Sequence, residues 1–298
     1  MTTLGRTGLK VSRLGVGLAE IGRLSLDEID EAGQVLNTAL DSGINLLDTA
    51  ACYGNSEELV GRVVAHRRHE YVLTTKCGHV IGGYVGQAWT AKTVRDSIDL
   101  SLTRLKTDYL DVVQLHSCSL DVLEQGEVVQ ELLTAKEAGK TRFVGYSGDN
   151  KEAHWAVGSD LFDTLQTSFN LVDQHARTKL LPLITNRNVG LIVKRPIANG
   201  AWGADRSPSA YANQYFQRAQ VMAAKGPIPD APDDRILLAL GFTLSHSAVD
   251  TAIVGTRNPA HMLSNIEMVE SQLPISMKAV EELHHRFDEV ENDWRQLE

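Results

Sequence analysis

The sequence predicts a closed (β/α)8 TIM barrel with an N-terminal β-hairpin and a C-terminal extra helix, and three observations carry that reading. Eight short apolar runs rich in branched residues alternate with amphipathic helical patterns, as expected of parallel strands covered by helices. The chain has 298 residues, and a barrel of this kind typically takes about 250. The competing arrangement, a doubly wound open sheet, should carry GxGxxG after its first strand when it binds a dinucleotide. Here "GVGLAE" supplies only Gly15 and Gly17.

Taken in order, "TLGRTGLKVS" reads as a small hairpin placed to plug the barrel floor, and "VSRLGVG" as the first barrel strand. In "SLDEIDEAGQVLNTALDSG", Ser25 and Glu28 have the spacing of a capping box. Ala32, Val35, Leu36, Ala39 and Leu40 then form one helical stripe, and Gly43 is the stop. The later strands are "INLLDTA", "YVLTTK", "LDVVQLH", "RFVGYSG", "TLQTSFN", "GLIVKRP" and "TAIVGT". The helices between and after them are "SEELVGRVVAHRR", "AKTVRDSIDLSLTRLK", "VVQELLTAKEAGK", "KEAHWAVG", "TKLLPLITNRN", "DRILLALGFTLSH" and "NPAHMLSNIEMVE". Residues 198–232 read as a long loop with Trp202, Tyr211 and Tyr215 among Gly, Pro and Asn, a length that is often functional. "SMKAVEELHHRFDEVENDWRQLE" is a last amphipathic helix. With no copied repeat and no low-complexity linker, residues 1–298 are expected to form a single barrel domain.

Composition narrows the partners. The formal charge is −9 with no basic run, which argues against nucleic acid and against an anionic membrane surface. "MTTLGRTGLKVSRLG" lacks the apolar core of a signal peptide, and no apolar stretch reaches the roughly 18 residues of a membrane span. Cys52, Cys77 and Cys118 form no CxxC pair, which suits reduced thiols. The expected location is therefore cytoplasmic. No His-x-His or other strand-end histidine pair suggests a metal site, so none is expected.

In such barrels the site lies at the carboxyl ends of the strands. Those ends hold Asp48 and Tyr53, then Lys76, then His116, from three consecutive strands, followed by Ser147, Gln166 and Asn170, Lys194 and Arg195, and Thr256 and Arg257. An acid, a phenol, an amine and an imidazole thus become neighbours if the barrel closes. A free phenol near pKa 10 is a poor acid at neutral pH. The Lys76 ammonium is expected to favour the phenolate of Tyr53 and bring its pKa down, with Asp48 balancing the lysine and His116 orienting a carbonyl oxygen or relaying a proton. A phenol so tuned can protonate a developing alkoxide while a nicotinamide supplies hydride.

"DTAACYGNSEELVG", "TTKCG", "VVQLHS" and the closing "VGTRNPAHMLSNI" resemble, in order and position, the signature segments of the aldo-keto reductase family. The resemblance implies a catalytic tetrad of Asp48, Tyr53, Lys76 and His116 with Tyr53 as proton donor. It also implies nicotinamide carboxamide contacts from Ser147 and Gln166, and a 2′-phosphate and adenine segment made of Gly255, Thr256, Arg257, His261 and Asn265. Independently, Asn258 and Pro259 read as N-cap and first turn of a helix, whose start favours anions.

Three positions depart from the family pattern. Gly148 stands where an asparagine is frequent. Lys194 or Arg195, both expected to contact the cofactor, stands where an aromatic commonly stacks, and Gly255 replaces a frequent lysine. Arg257 can substitute for that lysine, so the cofactor expected is NADP, with NAD as the alternative. The implied function is reduction of an aldehyde or ketone to its alcohol, or the reverse, on a small-molecule substrate. The second reading is a cofactor-binding regulatory or sensor subunit with negligible turnover. Tyr84, Trp89 and Trp202 suggest a partly apolar substrate pocket, and oxidation of one of the three cysteines, each within two residues of a tetrad member, is expected to block the site. His66, His69, His284 and His285 read as exposed.

Overall fold

The computed structural model describes residues 1–297. Two short antiparallel strands, β1 (Thr2–Thr3) and β2 (Lys10–Val11), form the predicted hairpin. Eight parallel strands follow: β3 (Leu14–Gly17), β4 (Leu46–Asp48), β5 (Val72–Cys77), β6 (Leu110–His116), β7 (Thr141–Ser147), β8 (Thr164–Ser168), β9 (Gly190–Lys194) and β10 (Thr251–Val254). They pair in chain order, and β10 closes on β3 through Ala252–Leu14, Ile253–Gly15 and Val254–Val16. The sheet is thus a closed barrel, and all eight strand positions agree with the apolar runs.

The helices are α1 (Ile29–Asp41), α2 (Ser56–Val63), α3 (Ala91–Leu105), α4 (Leu120–Gln125), α5 (Glu127–Glu137), α6 (Asn150–Gly158), α7 (Ala176–Arg187), α8 (Asn213–Ala223), α9 (Arg235–Leu244), α10 (Pro259–Ser271) and α11 (Met277–Val290). Among the described residues, no helix is long and apolar enough to cross a membrane. The capping box before α1 forms, with Glu28 Oε2 accepting from Ser25 N at 2.8 Å. Asn258 caps α10 by accepting from Ala260 N at 2.9 Å, and Pro259 opens its first turn.

Four expectations need correcting. The closing helix α11 stops at Val290 and gives way to a short 3-10 segment, Glu291–Asp293, so the run read as helical to its end is only partly so. The α-helix of α2 ends at Val63, and a short 3-10 segment, Ala65–Glu70, replaces its predicted last turn. There Arg68 turns back to reach Asp111 Oδ2 at 2.7 Å and Tyr71 O at 2.9 Å, contacts a continuing helix would not place. Residues 198–232 are not one loop: α8 lies inside them, with Tyr215, Ala219 and Met222 buried on a single face at helical spacing. His284 is not exposed; it is half-buried, with its Nε2 3.0 Å from that of His246.

The core has two parts. Leu4, Leu9 and Val11 of the hairpin meet Leu46, Val72, Val112, Ile192 and Ile253 inside the barrel, forming its floor. Fully burying a Leu, Ile or Val contributes roughly 1.5–3 kcal/mol, so the hairpin is a structural plug. Its approach is close enough that a Cβ on Gly5, at φ +43°, would lie 2.2 Å from Gly190 N. The larger apolar layer packs between strands and helices. Side chains alternate along a strand, so positions two or four residues beyond the floor also face the lumen. Those positions are Asp48, Lys76, His116 and Lys194, and this parity places polar groups at the mouth.

Candidate active site

Tyr53 lies in the turn between β4 and α2, fixed by Tyr53 N donating to Ala50 O at 2.9 Å and Ser56 N donating to Tyr53 O at 2.9 Å. The turn sits directly on Gly22, where a Cβ would come within 2.0 Å of Tyr53 O. A side chain at position 22 would push the tyrosine out of place.

The structure brings the four proposed catalytic residues together. Lys76 Nζ is 2.7 Å from Asp48 Oδ2 and donates to Thr49 O at 2.8 Å. It also lies 4.8 Å from the centroid of the Tyr53 ring. Asp48 Oδ1 accepts from Thr74 Oγ1 at 2.7 Å and from Gln166 Nε2 at 2.8 Å, and Gln166 Oε1 accepts from Ser147 Oγ at 2.9 Å. Ser147 and Gln166 therefore extend the same polar network across the lumen. The His116 ring meets the Tyr53 ring edge-on with centroids 5.6 Å apart, and its Nδ1 is 3.3 Å from Cys52 Sγ.

Electrostatics here corrects one expectation. Burial pushes the Tyr53 hydroxyl above its ordinary 10.0, and the Lys76 charge pulls it down without overcoming burial. Tyr53 is thus a phenol that keeps its proton at neutral pH. Burial pulls the Lys76 ammonium down, but Asp48 and the tyrosine oxygen outweigh it, so it stays charged. His116 falls to about 2, first through burial and then through Lys76, His79 and Lys194, which makes it a neutral imidazole. Burial also raises the thiols of Cys52, Cys77 and Cys118, the last to about 12, so none is primed as a thiolate.

A cleft of about 1200 Å³ opens above this cluster, lined by Asp48, Tyr53, His116, Ser147, Gln166, Lys194, Arg195 and Gly255 among others. It adjoins a smaller cleft at the start of α10 bounded by Thr256, Arg257 and His261 together with Glu20 and Glu31. Glu20 and Gly255 border both. Asn265 is buried one turn further into α10 and lines neither of these two clefts. Tyr84, Trp89 and Trp202 do not line the larger cleft either. Tyr84 Oη donates to Asp96 Oδ2 at 2.7 Å, Trp89 packs edge-on against His79, and Trp202 is buried. The aromatic at the rim is Tyr211, 61% exposed, with Arg195 Cζ 5.1 Å from its ring centroid.

Sequence reasoning missed the carboxylates. Arg257 Nε is 3.6 Å from Glu31 Oε1, and Asp149 Oδ2 is 2.8 Å from Lys194 Nζ in the wall of the larger cleft. The signal for Asp149 was available: two cations ending a buried strand require a counter-charge, and "YSGD" ends in one.

The two adjoining clefts suit an elongated dinucleotide. Near Gly17 and Gly255 the wall is bare backbone, where a Cβ on Gly255 would lie 3.0 Å from Gly17 O. Beyond it lies the N-terminus of α10, whose dipole favours an anion. Ser147 and Gln166 present polar groups at the Tyr53 end.

Comparison with known proteins agrees with this fold. The chain is 28% identical to L-galactose dehydrogenase of Arabidopsis thaliana, over 98% of this chain and 95% of the relative. Its fold superposes on an aldo-keto reductase from Bacillus halodurans in its holo form with a TM-score of 0.79, at 24% identity, covering 95% of each chain. It also superposes on an aldo/keto reductase from Klebsiella pneumoniae in complex with NADP and acetate, with a TM-score of 0.76, at 22% identity, covering 100% of this chain and 98% of that one. A profile of the aldo/keto reductase family matches residues 13–284, and the chain belongs to that family of oxidoreductases.

Proposed function

We propose that this chain, working as a single barrel domain, is an NADP-dependent oxidoreductase that reduces an aldehyde or ketone to its alcohol, or runs the reverse reaction, with Tyr53 as the proton donor. The carrying observation is the buried Lys76–Asp48 pair beneath the Tyr53 ring at the mouth of the cleft. A regulatory subunit without turnover is not favoured, since a retired site has no reason to keep a buried ion pair, a phenol and a neutral imidazole in register.

When bound, the nicotinamide cofactor supplies the hydride. The protein supplies the rest. A substrate carbonyl oxygen lying between Tyr53 and His116 becomes an alkoxide, a far stronger base than a phenolate. Even a phenol held above its ordinary value therefore gives up its proton downhill. The Lys76 ammonium then faces the tyrosinate left behind, and Asp48 holds that ammonium in place. His116, neutral, can only hydrogen-bond the oxygen and brings no second charge.

Ser147 and Gln166 are the groups for the carboxamide, Lys194 and Arg195 border the nicotinamide end, and Gly255, Thr256, Arg257, His261 and Asn265 form the adenine-side segment. The cofactor assignment draws on the NADP carried by the Klebsiella pneumoniae structure and on Arg257. That arginine is paired with Glu31, so a 2′-phosphate must draw it away from a carboxylate, and NAD is the alternative. The reading also expects a cytoplasmic enzyme acting on a small molecule. The test is a panel of aldehydes, ketones and alcohols assayed by nicotinamide absorbance with each cofactor in turn. Turnover with NADPH above NADH supports the proposal, and no turnover across the panel rejects it.

A further inference from the structure

Asp149 precedes α6, where an aspartate ordinarily caps the helix by accepting from its first amides. Its side chain makes no such bond. The carboxylate is buried and turned away, toward the end of β8. Oδ1 accepts from Ser168 N at 2.7 Å, from Thr167 Oγ1 at 2.8 Å and from Gln296 Nε2 at 3.3 Å, while Oδ2 pairs with Lys194 Nζ at 2.8 Å and, more distantly, with Arg195 Nη1 at 4.0 Å. Helix capping therefore does not explain this residue.

Gln296 comes from beyond α11 and is itself buried. Its amide nitrogen also donates to Ser168 O at 2.9 Å and approaches Thr167 Oγ1 at 3.3 Å, while its carbonyl accepts from Asn150 N at 3.1 Å. The next residue holds the neighbouring cation: Arg195 Nη1 donates to Leu297 O at 3.0 Å, and Leu297 N donates to Asp173 Oδ2 at 2.8 Å. Leu297 thus holds Arg195 directly, and Gln296 braces the carboxylate that pairs with Lys194. Lys194 is the one aimed into the lumen. It shares parity with Ile192 of the barrel floor and lines the cleft beside Gln166.

We propose that Asp149 and Gln296 are positioning residues that fix the Lys194 ammonium as a hydrogen-bond donor facing the nicotinamide end of the cofactor, so that the C-terminal segment sets cofactor affinity. This rests on the reading of the cleft given above. A lysine is among the side chains with most rotamer entropy to lose. An ammonium held beforehand by a carboxylate with three other donors need not lose that freedom again on binding.

The test titrates NADPH and NADH into wild type, Gln296→Leu, Lys194→Met and the double variant, following quenching of reduced-nicotinamide fluorescence, with thermal unfolding run alongside. Gln296→Leu and Lys194→Met are each expected to raise Kd about three- to tenfold. Because Gln296 acts through Lys194, the double variant should bind no more weakly than Lys194→Met alone. Should Gln296→Leu fail to fold, Thr167→Val removes another donor to the same Asp149 oxygen and is expected to weaken binding in the same direction. Unchanged Kd in folded Gln296→Leu, or losses that multiply in the double variant, would overturn the proposal while leaving the cofactor reading intact. Absence of binding in wild type would overturn that reading as well.

Discussion

Lys76 Nζ lies 2.7 Å from Asp48 Oδ2, and the two side chains are 1% and 2% exposed. At that depth neither charge is tolerable alone. Replacing Asp48 by Asn keeps the shape and strands the ammonium, and is expected to cost about 3–5 kcal/mol of stability, as for a broken buried pair. Urea unfolding of Asp48→Asn measures this. A loss below about 1 kcal/mol, the range of exposed pairs, would show that water reaches the pair.

The pH dependence should differ between the two directions. Tyr53 titrates above 10.0 and His116 near 2, so neither changes state at neutral pH. Carbonyl reduction, which needs the protonated phenol, is expected to be flat from roughly pH 6 to 9. Alcohol oxidation, which needs the phenolate, should rise with pH over the same range. A midpoint near neutrality in the reduction profile would mean that Tyr53 is tuned downward after all.

Buried histidines make the fold acid-sensitive. His116 at about 2 and His284 at about 4 lie below the ordinary 6.5 because burial disfavours their charged forms. Below 6.5 the unfolded chain takes up protons that the fold refuses. Stability present above that pH is therefore lost as pH falls toward 4 and then 2. Melting temperature followed from neutral to acidic pH should decline, and less steeply in His284→Leu. Equal slopes in the two proteins would rule out a contribution from His284.

Glu31 should govern the choice of cofactor. Its pair with Arg257 is surface-exposed, at 41% and 48%, and such pairs are worth about 0.2–1 kcal/mol. Glu31→Gln frees the guanidinium for a 2′-phosphate, so KM for NADPH is expected to fall by up to about fivefold. KM for NADH should stay put. A parallel change for both cofactors would place the 2′-phosphate elsewhere.

Much of this was legible in the sequence because barrel strands carry two signals at once. The apolar runs marked every strand, and the last inward position of several marked Asp48, Lys76 and His116. The strand-to-helix turn pointed to Tyr53 as their neighbour. The structure reverses the predicted direction of the Tyr53 shift, because burial depth, which outweighs the Lys76 charge, has no sequence signature. Helix α8 was hidden by Pro and Gly on both sides, although Tyr215, Ala219 and Met222 kept its period. Gln296 was missed for a different reason. Its partner Asp149 lies 147 positions away, and no local pattern reports a contact of that range. Glu31 has no sequence signal either, since the facing Arg257 comes from the other end of the chain.

The most direct test of Tyr53 as the acid is steady-state reduction of a small aldehyde by Tyr53→Phe, with cofactor binding measured on the same preparation. Loss of the proton donor should lower kcat by roughly 10²–10⁴-fold while cofactor Kd stays within about twofold. Turnover close to wild type with intact binding would contradict the assignment and leave the buried ammonium without its proposed purpose.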